Sequence, residues 1–135
     1  MMYDIFDANE LLFKALNVDE VKSAIKGKLY NDSRPINSLN EDIVVNTITI
    51  TTVFKPQLAT SNINIYVPDL ELGVKNSRRL KEISRVVRKV FENHQFIGKS
   101  VYISDLGIIQ EQNGKEHYVN LRIQWRIYDQ KQTNY

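Results

Sequence analysis

His117-Tyr118-Val119-Asn120-Leu121-Arg122-Ile123-Gln124-Trp125-Arg126-Ile127-Tyr128 alternates apolar and polar side chains with a period of two. It follows Gln112-Asn113-Gly114-Lys115, and Asn-Gly is the strongest short-range signal for a hairpin turn. Val101 to about Gln110 supplies the other arm. Val119, Leu121, Ile123, Trp125 and Ile127 therefore share one face of a strand, with Tyr118, Asn120, Arg122, Gln124, Arg126 and Tyr128 on the other. The apolar face has to be covered, and a helix is the natural cover.

Just upstream lies that helix. From Ser77 to about His94, Leu80, Ile83, Val86, Val87, Val90, Phe91 and His94 fall on one arc at 100° per residue. Arg78, Lys81, Arg85, Arg88, Lys89 and Glu92 fall on the opposite arc, and Asn76 or Ser77 is placed to cap the N-terminus. Further back, Ser61 to Val67 alternates and ends at Pro68, because proline cannot donate to a ladder. Lys55 to Thr60, containing Pro56, reads as a connection. Ile43 to Phe54 is rich in β-branched residues and reads as a long strand, with Val44, Ile48, Ile50 and Phe54 on one face and Thr47, Thr49 and Thr51 on the other.

Lys28-Leu29-Tyr30 reads as a short strand, after a short helix from Asp19 to about Ile25 that Gly27 is placed to stop. Asn31 to Ser38 is a loop. The first segment, Asp4 to about Leu16, is helical, with Ile5, Ala8, Leu11, Leu12, Ala15 and Leu16 on one side. Phe6 and Phe13 widen that stripe, and the expectation is that both extend the core face rather than meet a neighbouring subunit. Gln130 to Tyr135 reads as a frayed end. The order predicts an α+β domain over 1–135. Its sheet is mainly antiparallel, with N-terminal helices, a long amphipathic helix packed on it and a C-terminal β-hairpin.

The 135 residues have the length of one domain, and 42% hydrophobic with 25% charged content is ordinary globular composition. The absence of cysteine excludes disulfides, thiolate metal sites and thiol nucleophiles. A net charge of +2 is far from the basic excess of a dedicated nucleic-acid binder. No apolar run approaches the ~20 residues that cross a bilayer. Met1-Met2-Tyr3-Asp4 carries an acid where a signal peptide would carry Lys or Arg, so the expected compartment is the cytosol of the producing cell.

No residue pattern nominates a reaction. His94 and His117 have no second ligand at metal spacing, and no partner for acid–base work is evident in sequence. The carboxylates Glu41 and Asp42, and Asp69 and Glu71, read as loop solvation. Isolated glycines form no phosphate-cradling loop. The expectation is no catalytic residue, no cofactor, no metal and no enzyme activity. The basic arc of Arg78, Lys81, Arg85, Arg88 and Lys89 could meet phosphates or an acidic protein surface, but it reads first as a solvated helix face. Arg79 sits beside the apolar arc, either extending to solvent or paired with a carboxylate. Tyr118, Arg122, Arg126 and Tyr128 form the Tyr/Arg mixture enriched at protein interfaces.

Three stretches carry a resemblance. They are the junction Lys26-Gly27-Lys28-Leu29-Tyr30, the loop Ser33-Arg34-Pro35-Ile36-Asn37-Ser38, and the strand opening Glu41-Asp42-Ile43-Val44-Val45. With the strand, long helix and hairpin that follow, the chain resembles the small tail-terminator or tail-completion proteins of long-tailed bacteriophages. The Thr-rich long strand departs from that pattern. The resemblance implies a virion protein assembled in the bacterial host cytoplasm. It implies a homo-oligomeric ring, typically a hexamer, that caps the tail tube and joins it to the head connector, with no membrane and no nucleic acid as primary ligand. Within that reading, local chemistry nominates Arg34, Asp42, Arg79, Arg122 and Arg126 as contact residues. Another head–tail connector or neck component, and a non-phage protein- or nucleic-acid-binding module, are the alternative readings.

Overall fold

The computed structural model describes residues 2–53, 55–95 and 97–128. Its elements are α1 (Ile5–Leu16), α2 (Asp19–Lys22), β1 (Leu29–Asn31), β2 (Ile43–Ile50), β3 (Gln57–Pro68), α3 (Ser77–Glu92), a 3-10 turn at Ile97–Lys99, β4 (Tyr102–Gln110) and β5 (Glu116–Ile127). The strands form one sheet in the order β1-β2-β3-β5-β4. β1 runs parallel to β2, and every other neighbouring pair is antiparallel. The α+β class, the antiparallel bias and the C-terminal hairpin stand as the sequence predicts.

β3 and β5 form the centre of the sheet and pair along their whole length, from Gln57↔Ile127 to Pro68↔Glu116. Their odd-numbered residues turn toward the helices and are buried, including Ile63, Ile65, Leu121, Ile123 and Trp125. On the same side of the sheet, Leu80, Ile83, Val87 and Phe91 of α3 lie over β3 and β5, and Ala8, Leu12 and Leu16 of α1 join the same core over β1 and β2. A buried polar chain crosses this layer: Trp125 Nε1 donates to Ser61 Oγ at 3.0 Å, and Ser61 Oγ meets Thr47 Oγ1 at 2.9 Å. Burying an indole N–H without such a partner would cost about 1–3 kcal/mol. α1 and α3 are capped at their N-termini, Asp4 with Asp7 in a capping box and Asn76 accepting from the Arg79 amide.

Four expectations are corrected. β2 spans 8 residues and ends at Ile50, with a register shift between Thr47 and Thr49. Its buried face is Ile43, Val45 and Thr47, and only beyond the bulge does Ile50 return to that side, opposite Ala59. A bulge inserts one residue and inverts the parity beyond it, which a period-two reading of sequence cannot locate. Phe54, placed on a β2 face from sequence, lies outside the described residues, as does the frayed end at 130–135.

β3 is longer than predicted, beginning at Gln57 inside the expected connection. Gln57 is buried because its amide clamps the N-terminal segment, accepting from Tyr3 N at 2.7 Å and donating to Tyr3 O at 2.9 Å. α2 ends at Lys22, well before Gly27. Phe13 does pack against the core, but Phe6 is 75% exposed and does not extend it.

On the helix-facing side the cover stops at β5. Leu106 of β4 sits directly opposite buried Leu121 of β5, yet is 58% exposed. In the monomer, Leu121→Ala is therefore expected to cost about 2–5 kcal/mol, while Leu106→Ala stays within about 0.5 kcal/mol. Urea denaturation of both variants at micromolar concentration checks the contrast.

Candidate functional site

Two features of the molecule have the makings of a site: a charged network beside Gly27, and the surfaces the fold leaves open. The network begins in the chain's close return upon itself. Gly27 N donates to Glu41 O and Ile43 N to Lys28 O, each at 3.0 Å, so the junction before β1 lies against the start of β2. A Cβ on Gly27 would stand 2.2 Å from Asp42 Oδ1 and 2.5 Å from Glu41 O. Gly27 thus serves a close backbone approach, where the sequence suggested a helix stop.

That approach lets backbone amides reach both carboxylates. Lys26 N donates to Glu41 Oε1 and Lys28 N to Asp42 Oδ1, both at 3.0 Å. Glu41 is clamped further by Arg79, whose Nε and Nη2 donate at 2.8 and 2.7 Å. The same guanidinium donates to Ala24 O and to Glu82 Oε2, each at 2.8 Å. The hydrogen bond from Arg79, aided by the Lys26 amide, outweighs burial and holds the Glu41 carboxyl below the usual glutamate range.

Asp42 has no exposed surface. Besides the Lys28 amide it accepts from Ser38 Oγ and from Arg34 Nη1, the latter at 3.4 Å. Arg34 Nη2 reaches Glu116 Oε2 at 2.7 Å, an atom that also accepts from Asn113 Nδ2 at 2.8 Å. The Arg34 guanidinium lies 3.6 Å from the centre of the Tyr66 ring, and Tyr66 is 4.8 Å from Tyr118. One arginine from the 31–42 loop is thus pinned across the polar face of β3 and β5 by charge and by its cation–π contact. Glu41 and Asp42, read from sequence as loop solvation, are buried structural groups.

The remaining candidates lie apart. Arg122 Nε donates to Asn62 Oδ1 at 3.2 Å, within a row of amides (Asn46, Asn62, Asn64, Asn120) that crosses β2, β3 and β5. Arg126 is exposed at the end of β5. On the outer side of α3, Arg78 pairs with Glu82 at 3.0 Å and Arg88 with Glu92 at 3.6 Å, while Lys81, Arg85 and Lys89 are exposed. Sequence reading missed one contact altogether: His117 Nδ1 meets Asp69 Oδ1 at 2.7 Å. Forty-eight positions separate the two residues, and only the β3–β5 register brings them together. Ile97 N donates to His94 Nδ1 at 3.3 Å, where the ring helps secure the 3-10 turn. Among the described residues no group of three or more His, Cys, Asp or Glu could hold a metal ion.

The open surfaces are apolar. Among the described residues β4 is paired only with β5, and Tyr102, Leu106, Ile108 and Ile109 are exposed along it on both faces of the sheet. Leu70, Leu72 and Val74 are exposed between β3 and α3, and Ile36 in the 31–42 loop. Between α3 and the segment that follows α2 runs an open cleft of about 770 Å³, its walls including Ile25, Arg79, Ile83 and Val86. Exposed apolar clusters of this kind mark places where other chains dock.

No protein-family model matches the chain. No curated protein matches it. Among solved structures it is similar to a chain in the virion of a native gene transfer agent particle, with a TM-score of 0.54 at 8% identity. The match covers 87% of this chain and 92% of that one. At that identity the likeness is one of fold.

Gly27→Ala is expected to destabilise by about 1–3 kcal/mol, because backbone and a buried carboxylate occupy the Cβ position. Gly107→Ala, where a Cβ meets nothing within 4 Å, serves as the neutral control in the same thermal melts. Glu41 also makes a pH prediction. Its folded-state carboxyl is depressed, so its stabilisation is full above the ordinary glutamate value near 4.5 and is lost as pH falls through the lower folded value. In acid titrations followed by circular dichroism, Glu41→Gln is expected to be less stable at pH 7 and to lose less stability than wild type below about pH 4.5.

Proposed function

We propose that this chain is a structural component of a phage-like virion, and within it a ring-forming subunit that caps the tail tube and joins it to the head connector. The observation that carries the reading is the fold shared with a virion chain over nearly the full length of both, despite 8% identity. The resemblance of the Lys26–Tyr30 junction, the 33–38 loop and the Glu41–Val45 strand opening to tail-terminator proteins points the same way. The role is structural, not enzymatic. Arg34, Arg79, Asp42 and Glu41 satisfy one another within the chain and hold loops in place, while the exposed surface offers apolar strand and loop residues to other proteins.

The second reading is another head–tail connector or neck component of the same kind of particle, which the shared fold supports equally. Nucleic acid ranks below both. Two of the five basic residues on the α3 face are neutralised by acids one turn away, and among the described residues no row of exposed aromatics accompanies the rest.

Light scattering after size exclusion, across a concentration series and at two salt levels, is expected to show a closed ring or a monomer that becomes one at high concentration. Electron microscopy with purified tail tubes is expected to place that ring at tube ends. A chain that stays monomeric and leaves tube ends bare sinks the terminator reading. Arg85→Ala with Arg88→Ala is expected to leave ring formation unchanged, whereas a nucleic-acid-binding module would lose affinity by tenfold or more and a salt-dependence slope of about two.

A further inference from the structure

The two borders of the sheet are complementary. In the β4–β5 ladder Glu111 N donates to Glu116 O at 2.9 Å, so by alternation Ile109 and Gly107 also bond to β5. Leu106, Ile108 and Gln110 then direct their amides and carbonyls away from the sheet. Edge strands are usually blunted by lysine, proline or short length. β4 spans 9 residues from Tyr102 to Gln110 with no lysine and no proline, and its one bulge lies near its start, between Ile103 and Asp105.

At the other border, β1 pairs with β2 only from Ile43 to Val45. The last bond there is Asp32 N to Val45 O at 2.7 Å, and Asp32, at φ 76°, turns the chain away. Among the described residues, the rest of β2, Asn46 to Ile50, has no strand neighbour on that side. Thr51 N donates to Leu58 O, so Thr49 also bonds inward and Ile50 presents its backbone outward.

Strand direction fits these borders to each other. β2 and β5 run one way, β3 and β4 the other. Two copies placed side by side with their helices on the same face therefore bring β4 of one antiparallel to β2 of the next. We propose that subunits join in this way, β4 of one copy pairing with the Asn46–Thr51 stretch of a second copy, which makes the sheet continuous from subunit to subunit. The inference rests on the ring reading, since a head-to-tail contact of this kind repeats until rotation closes it.

A definite register follows from the outward groups. Ile108 opposite Ile50 of the partner subunit pairs two outward-facing backbones and sets both side chains on the helix side. That apolar seam extends the core past β5, where the chain's own helices leave Ile108 50% exposed. On the polar side, Ile109 falls opposite Thr49 of the partner subunit in a non-hydrogen-bonded pair, the closer of the two spacings. In this register Glu111 falls opposite Thr47 and Asp105 opposite Val53 of the partner subunit, so no like charges are opposed.

The cysteine-free chain permits a direct test. Oxidation of the Thr49→Cys, Ile109→Cys double variant is expected to give a ladder of covalent multimers on non-reducing gels. Either single variant alone stays uncrosslinked, and an equal mixture of the two singles stops at dimer. Ile108→Pro, which removes an outward amide and leaves the β5 ladder intact, is expected to weaken assembly about tenfold or more with an unchanged circular dichroism spectrum. The pairing is overturned if the double variant stays uncrosslinked while wild type still assembles by light scattering, an outcome that leaves the ring reading standing. A dimer as the largest species overturns it in favour of a twofold β4–β4 contact. Absence of any wild-type oligomer, alone or with tail tubes, overturns both readings.

Discussion

Everything on the N-terminal side of the sheet depends on two adjacent buried carboxylates, Glu41 and Asp42, held by two arginines from different parts of the chain. Arg79 comes from the first turn of α3, and Arg34 from a loop that would otherwise have no reason to lie on the sheet. Between the carboxylates and the backbone stands Gly27, whose missing side chain lets two amides complete the coordination. A buried charge left unpaired costs several kcal/mol, so the arrangement is close to all-or-none. Helix, loop, junction and strand must arrive together.

The consequence is spatial. Anchoring Arg34 across Tyr66 draws the 31–42 loop over the polar face of the sheet, the side on which Val44 is also buried although it points away from the helices. Anchoring Arg79 holds α3 against the α2 end of the molecule, over β3 and β5 rather than over β4. The helix layer is therefore displaced toward one side, and the hairpin's outer strand is left without cover. An exposed apolar edge strand is a hazard in a monomer and an asset in a subunit that must find a neighbour. In this molecule the stabilising network and the available surface are two results of the same placement.

Much of the fold was legible because its signals are local. Asn113-Gly114 announces the hairpin, alternation in His117–Tyr128 names the buried face, and the 3.6-residue period of Ser77–Glu92 identifies a helix with one apolar arc. The misreadings have equally physical causes. The bulge at Thr47–Thr49 inverts side-chain parity without leaving a compositional trace. Gln57 looks like a loop residue because its clamp on Tyr3 spans 54 positions. Phe6 looks like a core residue because helical period alone does not say how wide the covering surface is.

For the site, sequence supplied names without pairings. Arg34, Asp42, Arg79 and Arg122 were selected by residue type and local position, and type alone cannot tell a contact with another subunit from one within the chain. Carboxylates in a turn-rich segment are usually solvated, so Glu41 and Asp42 gave no sign of burial. Asp69 and His117 carried no common motif. The sequence by itself determined the order of the elements and the faces that α3, β3 and β5 bury, since these follow from propensity and periodicity over neighbouring residues. Which arginine meets which carboxylate, where the helices stop covering the sheet, and which strand backbones remain open were decided only by the tertiary structure. Each of those depends on groups tens of residues apart meeting within about 3 Å, a distance that pairing register and packing set.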